Sequence, residues 1–169
     1  ITIKTNTTLN RIILKENAEK IKALYANEGF YLAKVEPVVN VEKGVEAQVN
    51  FQIDEGEKVR IKRITVIGNK KMAEKQIKKV MNTSEAGFFS FFTKSGVYQE
   101  FLFQNDLNLI MGLYFDNGYI QANITDSNVA LSNDKKWLYI TIAVSEGEQF
   151  KVGKIDVQGD ILKTKKDIL

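Results

Sequence analysis

No cysteine and no histidine occur in this 169-residue chain, and proline occurs once, at Pro37. Without cysteine there are no disulfides and no thiol nucleophile. Without either residue there is no Cys/His zinc site, and every imidazole acid–base mechanism is excluded. An enzyme would have to work with carboxylates, lysine, serine or tyrosine alone, and no enzymatic activity is expected. Charge of one sign is also missing: 24 Lys and Arg stand against 21 Asp and Glu, a net +3 interleaved along the chain. That gives no basic field, so nucleic acid is not an expected partner. No apolar run approaches the roughly 18 residues that cross a bilayer, and no basic-then-apolar leader opens the chain. A soluble piece, excised or processed from something longer, is the expectation. Glycine patterns of nucleotide-binding loops are absent as well, and no cofactor or metal is expected.

What is present is a repeat. Leu14, Ala18, Ile21, Tyr25, Gly29 and Phe30 are answered by Phe103, Leu107, Ile110, Tyr114, Gly118 and Tyr119, at a constant offset of 89 (103 minus 14). Glu55-Gly56-Glu57 returns as Glu146-Gly147-Glu148, and Ile64 to Asn69 returns as Ile155 to Asp160, both at an offset of 91. Segments repeating in order indicate one supersecondary unit used more than once.

The unit can be read in the complete copy. Residues 59–67 are rich in β-branched types and end at Gly68-Asn69, a strand and turn. Ala73, Ile77, Val80 and Met81 recur at helical spacing over 71–81. A second helix over about 98–117 carries Phe103, Leu107, Ile110 and Tyr114 in one apolar stripe. It is closed by Asn117-Gly118, as Glu28-Gly29 closes the first copy. Strands over about 120–131 and 137–145 follow, the second alternating through Leu138, Ile140, Ile142 and Val144. The expected fold class is α+β: tandem two-layer β-α-α-β-β repeats, each a roughly three-stranded mixed sheet covered on one face by two helices. Residues 1–57 form a repeat lacking its first strand and most of its first helix. Residues 58–148 form a complete repeat, and 149–169 begin another.

A β-α-α-β-β unit with a Tyr…Gly-Tyr/Phe helix ending, an EGE turn and an I-x-V-x-G-N/D strand resembles the POTRA (polypeptide-transport-associated) domain. The best resemblance is to the periplasmic POTRA arrays of BamA-type outer-membrane protein assembly factors. Tyr98, Asp106-Leu107, Tyr114, Asp116 to Tyr119 and Asp134 to Lys136 place 59–148 nearest a third domain, between parts of a second and a fourth. The resemblance implies a non-enzymatic periplasmic scaffold in a bacterium with an outer membrane. Its implied partners are unfolded outer-membrane β-barrel proteins, accessory lipoproteins, and a C-terminal membrane barrel that is absent from this chain. Alternatives are the arm of a two-partner secretion or translocation-assembly transporter, and a purely structural spacer.

Candidate sites follow from the unit itself. One hairpin strand must lie at the sheet edge, where unpaired N–H and C=O groups can accept another extended chain. The candidate edge is Gln121, Ala122, Asn123, Ile124, Thr125, Asp126, Ser127, Asn128, Val129 and Ala130. Ala122 and Ile124 set one phase of alternation and Val129 and Leu131 the other, which implies a β-bulge near Asp126-Ser127-Asn128. In the first copy Ala33, Val35, Pro37, Val39 and Val41 keep an unbroken period of two. Pro37 removes a ladder donor there, so the second repeat is expected to bind peptide and the first to bind it poorly. The competing reading is an edge that the bulge protects.

Phe88, Phe89, Phe91 and Phe92 crowd one interhelical loop. They form either an aromatic contact patch or, as preferred, a satellite of the core, since burying two rings would contribute several kcal/mol. Glu55, Gly56, Glu57 and Glu146, Gly147, Glu148 are read as inter-repeat joints with solvated acids, not as a catalytic pair.

Overall fold

The computed structural model describes residues 8–41, 46–88, 90, 93 and 95–156. The first repeat contributes α1 (Arg11–Asn27), β1 (Lys34–Val41) and β2 (Ala47–Asp54). The second contributes β3 (Arg60–Ile67), α2 (Glu74–Val80), α3 (Glu100–Asp116), β4 (Asn123–Leu131) and β5 (Trp137–Ser145). Residues 151–156 carry no regular secondary structure, and the rest of the third segment, 157–169, lies outside the described residues. Among the described residues no helix is long and apolar enough to cross a membrane.

Order in the second sheet is β3-β5-β4, with β3 parallel to β5 and β4 antiparallel to it. Two helices between β3 and the hairpin supply the crossover that a parallel pair requires. Along β5, Leu138, Ile140, Ile142 and Val144 are all buried. They meet Ile61, Ile64, Val66, Ile77, Phe103, Ile110 and Tyr114 in one core, which is the two-layer arrangement that the alternation implies. The first repeat has only the antiparallel β1–β2 pair among the described residues, in unbroken register from Lys34↔Asp54 to Val41↔Ala47.

Both long helices end alike. The N–H groups of Gly29 and Phe30 donate to the carbonyls of Ala26 and Tyr25, and those of Gly118 and Tyr119 to Phe115 and Tyr114. Positive φ at Gly29 (99°) and Gly118 (82°) makes this closure possible at a residue without Cβ. The following repeat then attaches at the same atom each time. Val59 N–H donates to Gly29 O, and Phe150 N–H to Gly118 O, both at 2.8 Å. At the first joint, Tyr31 packs edge-on against Tyr98 with centroids 5.7 Å apart, and Tyr31 and Leu32 rest on the second repeat's core.

Two boundaries, the residue of the bulge and one burial state differ from the sequence reading. Helix α2 begins at Glu74, not near Lys71, and the backbone N–H groups of Lys70, Lys71 and Met72 lie in the turn before it. They donate to the carboxylate of Glu146 at 2.8, 2.7 and 3.0 Å, and Tyr114 Oη–H donates to it at 3.0 Å. Glu146 is therefore buried, with 6% exposure, and not solvated at the joint. Strand β4 begins at Asn123, since Ala122 N–H turns back to Tyr119 O. Gln121 and Ala122 thus precede the edge, and Ala122 belongs to the core. The bulge is at Thr125, where the register steps from Ile124↔Val144 to Asp126↔Ala143, one residue before the three positions expected.

Burial opposes the charged form of Glu146. The N–H groups of Met72 and Lys71, the Tyr114 hydroxyl and the Lys70 N–H nevertheless hold its carboxyl below the ordinary range. A depressed folded-state pKa contributes stability that is fully present above the unfolded value of roughly 4.3. That stability is lost as pH falls through the lower folded value. Glu146→Gln sets an amide NH2 against two of the four donors, either the Lys70 and Lys71 N–H groups or the Met72 N–H and the Tyr114 hydroxyl, and is expected to destabilise the chain by about 2–4 kcal/mol at neutral pH. Urea unfolding at pH 7 and pH 3 checks this, and the gap between parent and variant should shrink at the lower pH.

Candidate functional site

The two edges of the β3-β5-β4 sheet are finished differently. On the β3 side the interhelical loop acts as a strap. Ile61 N–H donates to Gly96 O at 2.7 Å and Ala86 N–H donates to Ile61 O at 2.8 Å. The Ile64 N–H is taken by the Glu85 carboxylate at 2.9 Å, and the Arg60 guanidinium donates to Ser95 O at 2.7 Å. Burial disfavours the charge on Glu85, but the Ile64 N–H and the Lys78 ammonium, 2.8 Å away, hold its carboxyl below the ordinary range. The loop thus occupies this edge from Arg60 to Ile64, the first part of β3.

On the β4 side no strand pairs among the described residues. Asn123, Thr125, Asp126, Ser127, Asn128 and Ala130 are exposed, while Ile124 and Val129 are half-buried against the core. Thr125, the extra residue of the bulge, donates its hydroxyl to Ala143 O at 3.3 Å. Between α3 and β4 runs a groove of about 420 Å³, lined by Leu107, Asn108, Met111 and residues 123–127. The geometry can therefore offer backbone groups along β4 and an apolar wall beside them. A bulge increases local twist, which divides the edge into the groove-side stretch before Asp126 and a regular ladder from Asp126 to Leu131.

The first repeat presents β1 as a hairpin edge without a bulge, with Pro37 opposite Phe51. Its helix packs on it through a much smaller core, in which Leu14, Ala18 and Ala33 are buried. Of the aromatic loop, Phe88 is 90% exposed. Phe89, Phe91 and Phe92 lie outside the described residues.

At the EGE turns, Gly56 and Gly147 have φ of 65° and 69°. Glu55, Glu57 and Glu148 are exposed, and Glu146 alone is sequestered. Tyr25 is desolvated, hydrogen-bonded by Glu55 and close to its charge, all of which raise its pKa above the ordinary tyrosine range. Tyr25 and Glu55 thus pair at the positions of Tyr114 and Glu146, though Glu55 stays exposed where Glu146 is buried on three backbone N–H groups. The tyrosines stand 89 apart and the glutamates 91, so this pairing could have been read from the repeat and was missed. The strap on β3 was missed too; only Gly96 signals it. Its φ is 76°, and a Cβ there would stand 2.7 Å from Ala86.

Gly96→Ala is expected to cost about 1–3 kcal/mol through that left-handed conformation and close approach. The Ile61 amide, which it releases, should exchange with solvent at least about tenfold faster. Amide hydrogen exchange checks the expectation, with the β5 amides as an unaffected reference.

Comparison with known proteins gives one consistent family. The POTRA profile, described as a surface antigen variable number repeat, matches residues 1–56 and 59–147. The outer membrane protein assembly factor BamA of Nitratidesulfovibrio vulgaris is 33% identical over 98% of this chain and 21% of its own length. BamA of Neisseria meningitidis serogroup B is 27% identical over 89% of this chain and 19% of its own. The chain therefore spans about a fifth of these relatives. Among solved structures, the N-terminal domain of Omp85 from Thermosynechococcus elongatus superposes with a TM-score of 0.53 at 18% identity. That match covers 92% of this chain and 63% of the other. BamA from Haemophilus ducreyi lacking POTRA domains 1–3 gives 0.55 at 17% identity, over 86% and 25%. At those identities the likeness speaks for the fold.

Proposed function

The chain belongs to the POTRA family, of the kind found in the assembly factor BamA, and we propose that it is part of the periplasmic arm of an outer-membrane β-barrel assembly factor. In this reading it spans the end of one repeat (1–57), a complete repeat (58–148) and the start of a third (149–169). It has no catalytic role. It receives unfolded outer-membrane β-barrel proteins and helps dock accessory lipoproteins, while the membrane barrel of the same protein lies outside this chain.

The observation that carries the client-binding part is the unequal finish of the sheet: a loop occupies the β3 edge, and β4 keeps its outer side unpaired beside the α3 groove. Barrel strands alternate apolar and polar residues. A strand added to β4 would turn one set of side chains toward Leu107 and Met111 and the other toward water. Main-chain pairing supplies affinity that is indifferent to sequence, which suits a receptor for many clients.

A second reading has its own support. The two joints are built alike, Val59 on Gly29 and Phe150 on Gly118, as a spacer that sets arm length and angle would require.

An amide chemical-shift titration with a short peptide copied from a barrel strand tests the choice. Shifts concentrated on residues 123–130, with little change on 34–41, are expected. Shifts centred on 87–93 would move the site to the aromatic loop. No shift at millimolar peptide would leave the spacer.

A further inference from the structure

The charges that nearly cancel over the whole chain do not cancel within the second repeat. Residues 58–79 carry nine Lys and Arg against one acid, Glu74. Residues 95–134 carry no Lys or Arg and five acids, Glu100, Asp106, Asp116, Asp126 and Asp134. The sheet order β3-β5-β4 sets β3, from the basic stretch, at one edge and β4, from the acidic stretch, at the other. Between them β5 has no charged residue. Neighbouring strands stand about 4.8 Å apart, so the two edges are separated by roughly one Debye length at physiological salt. Each edge is therefore governed mainly by the charges of its own side.

The five acids do not all act on β4. Glu100 lies at the far end of α3, where it accepts from Tyr98 and Gln104. Asp134 sits in the hairpin turn, bonded by the Ser132 hydroxyl and the Lys136 N–H and followed by two lysines, so the Leu131 end of β4 is balanced. Asp106 is buried on the N–H groups of Asn82 and Thr83. Asp116 and Asp126 remain, both exposed and neither in an ion pair among the described residues. Asp116 closes α3, whose last turn has no basic residue. Its charge therefore adds to the negative end of the helix dipole, where a cation would ordinarily stand. Asp126 follows the bulge and lines the α3–β4 groove. The joint that passes Gly118 adds Glu148 and Lys151, one charge of each sign.

From this we infer that the start of β4 selects extended segments bearing Lys or Arg over those bearing Asp or Glu, with Asp126 as the residue that discriminates them. This preference rests on the client-binding reading and refines it: backbone pairing sets where a segment adds, and charge sets how tightly. Exposed pairs contribute little each, so the preference is modest. Its sign is diagnostic. The chain as a whole carries +3, and that net charge would favour an acidic segment. A preference for lysine can come only from the local arrangement at β4.

Amide chemical-shift titration of the whole chain tests this with three versions of one barrel-strand peptide, identical except for Lys, Gln or Glu at two water-facing positions. At about 20 mM salt the Lys peptide should bind at residues 123–130 about tenfold more tightly than the Glu peptide, with the Gln peptide between them. At about 0.5 M salt the three should agree to within about twofold. Asp126→Asn should narrow the low-salt gap, and Asp126→Lys should invert the order. Equal affinities at low salt, a preference for Glu, an order that survives high salt, or an unchanged order in Asp126→Lys each overturns the inference and leaves the client-binding reading standing. No shift along 123–130 with any of the three peptides overturns that reading, and the charge preference with it.

Discussion

A carboxylate withdrawn from water is tolerated only when donors replace the lost hydration, and Glu146 has four of them. Three are consecutive backbone N–H groups between β3 and α2, and the fourth is the hydroxyl near the end of α3. One side chain thus joins the end of β5, the turn after β3 and the last turn of the longest helix of the repeat. The next residue, Gly147, turns the chain toward Phe150, whose N–H reaches the carbonyl of Gly118 four residues after Tyr114. Closure of one repeat and departure toward the next are set within a few residues of each other. The Tyr25–Glu55 pair stands beside the Gly29–Val59 joint in the same way, but with Glu55 exposed and without the three backbone donors.

With the repeat closed in this way, the difference between its edges acquires meaning. An open three-stranded sheet has two edges, and leaving both unpaired invites indiscriminate pairing. Here the long interhelical loop occupies one edge through Ala86, Gly96 and Glu85. The other is left to β4, whose bulge at Thr125 confines regular pairing to the stretch after it. On the proposed client-binding reading this restriction sets where a strand can add, whatever its sequence.

Much of this architecture was legible because it depends on period and repetition. Alternation in β5, the apolar stripe of α3 and the glycine helix ends repeat a local geometry, and the structure follows them. Parity revealed a bulge between Ile124 and Val129, but counting cannot choose the residue; Thr125 is selected by the ladder it leaves and the carbonyl it reaches. The sequence reading put Glu146 in water because a Glu-Gly-Glu turn has the composition of a solvated loop. Its partners are more than 70 residues away for the backbone donors, and only the folded sheet brings them together. The residues expected to open helix α2 form a turn around that carboxylate instead. The strap over β3 was illegible because single backbone contacts leave no pattern in side-chain types.

The most direct test of the account is amide hydrogen exchange across the whole chain, with and without a saturating barrel-strand peptide. Strand addition predicts protection of alternate amides within 123–131 and no change at Ile61 and Ile64 of β3, whose outer bonds are already made by the loop. Uniform protection without alternation, or protection confined to β3 or to the first hairpin, would contradict it.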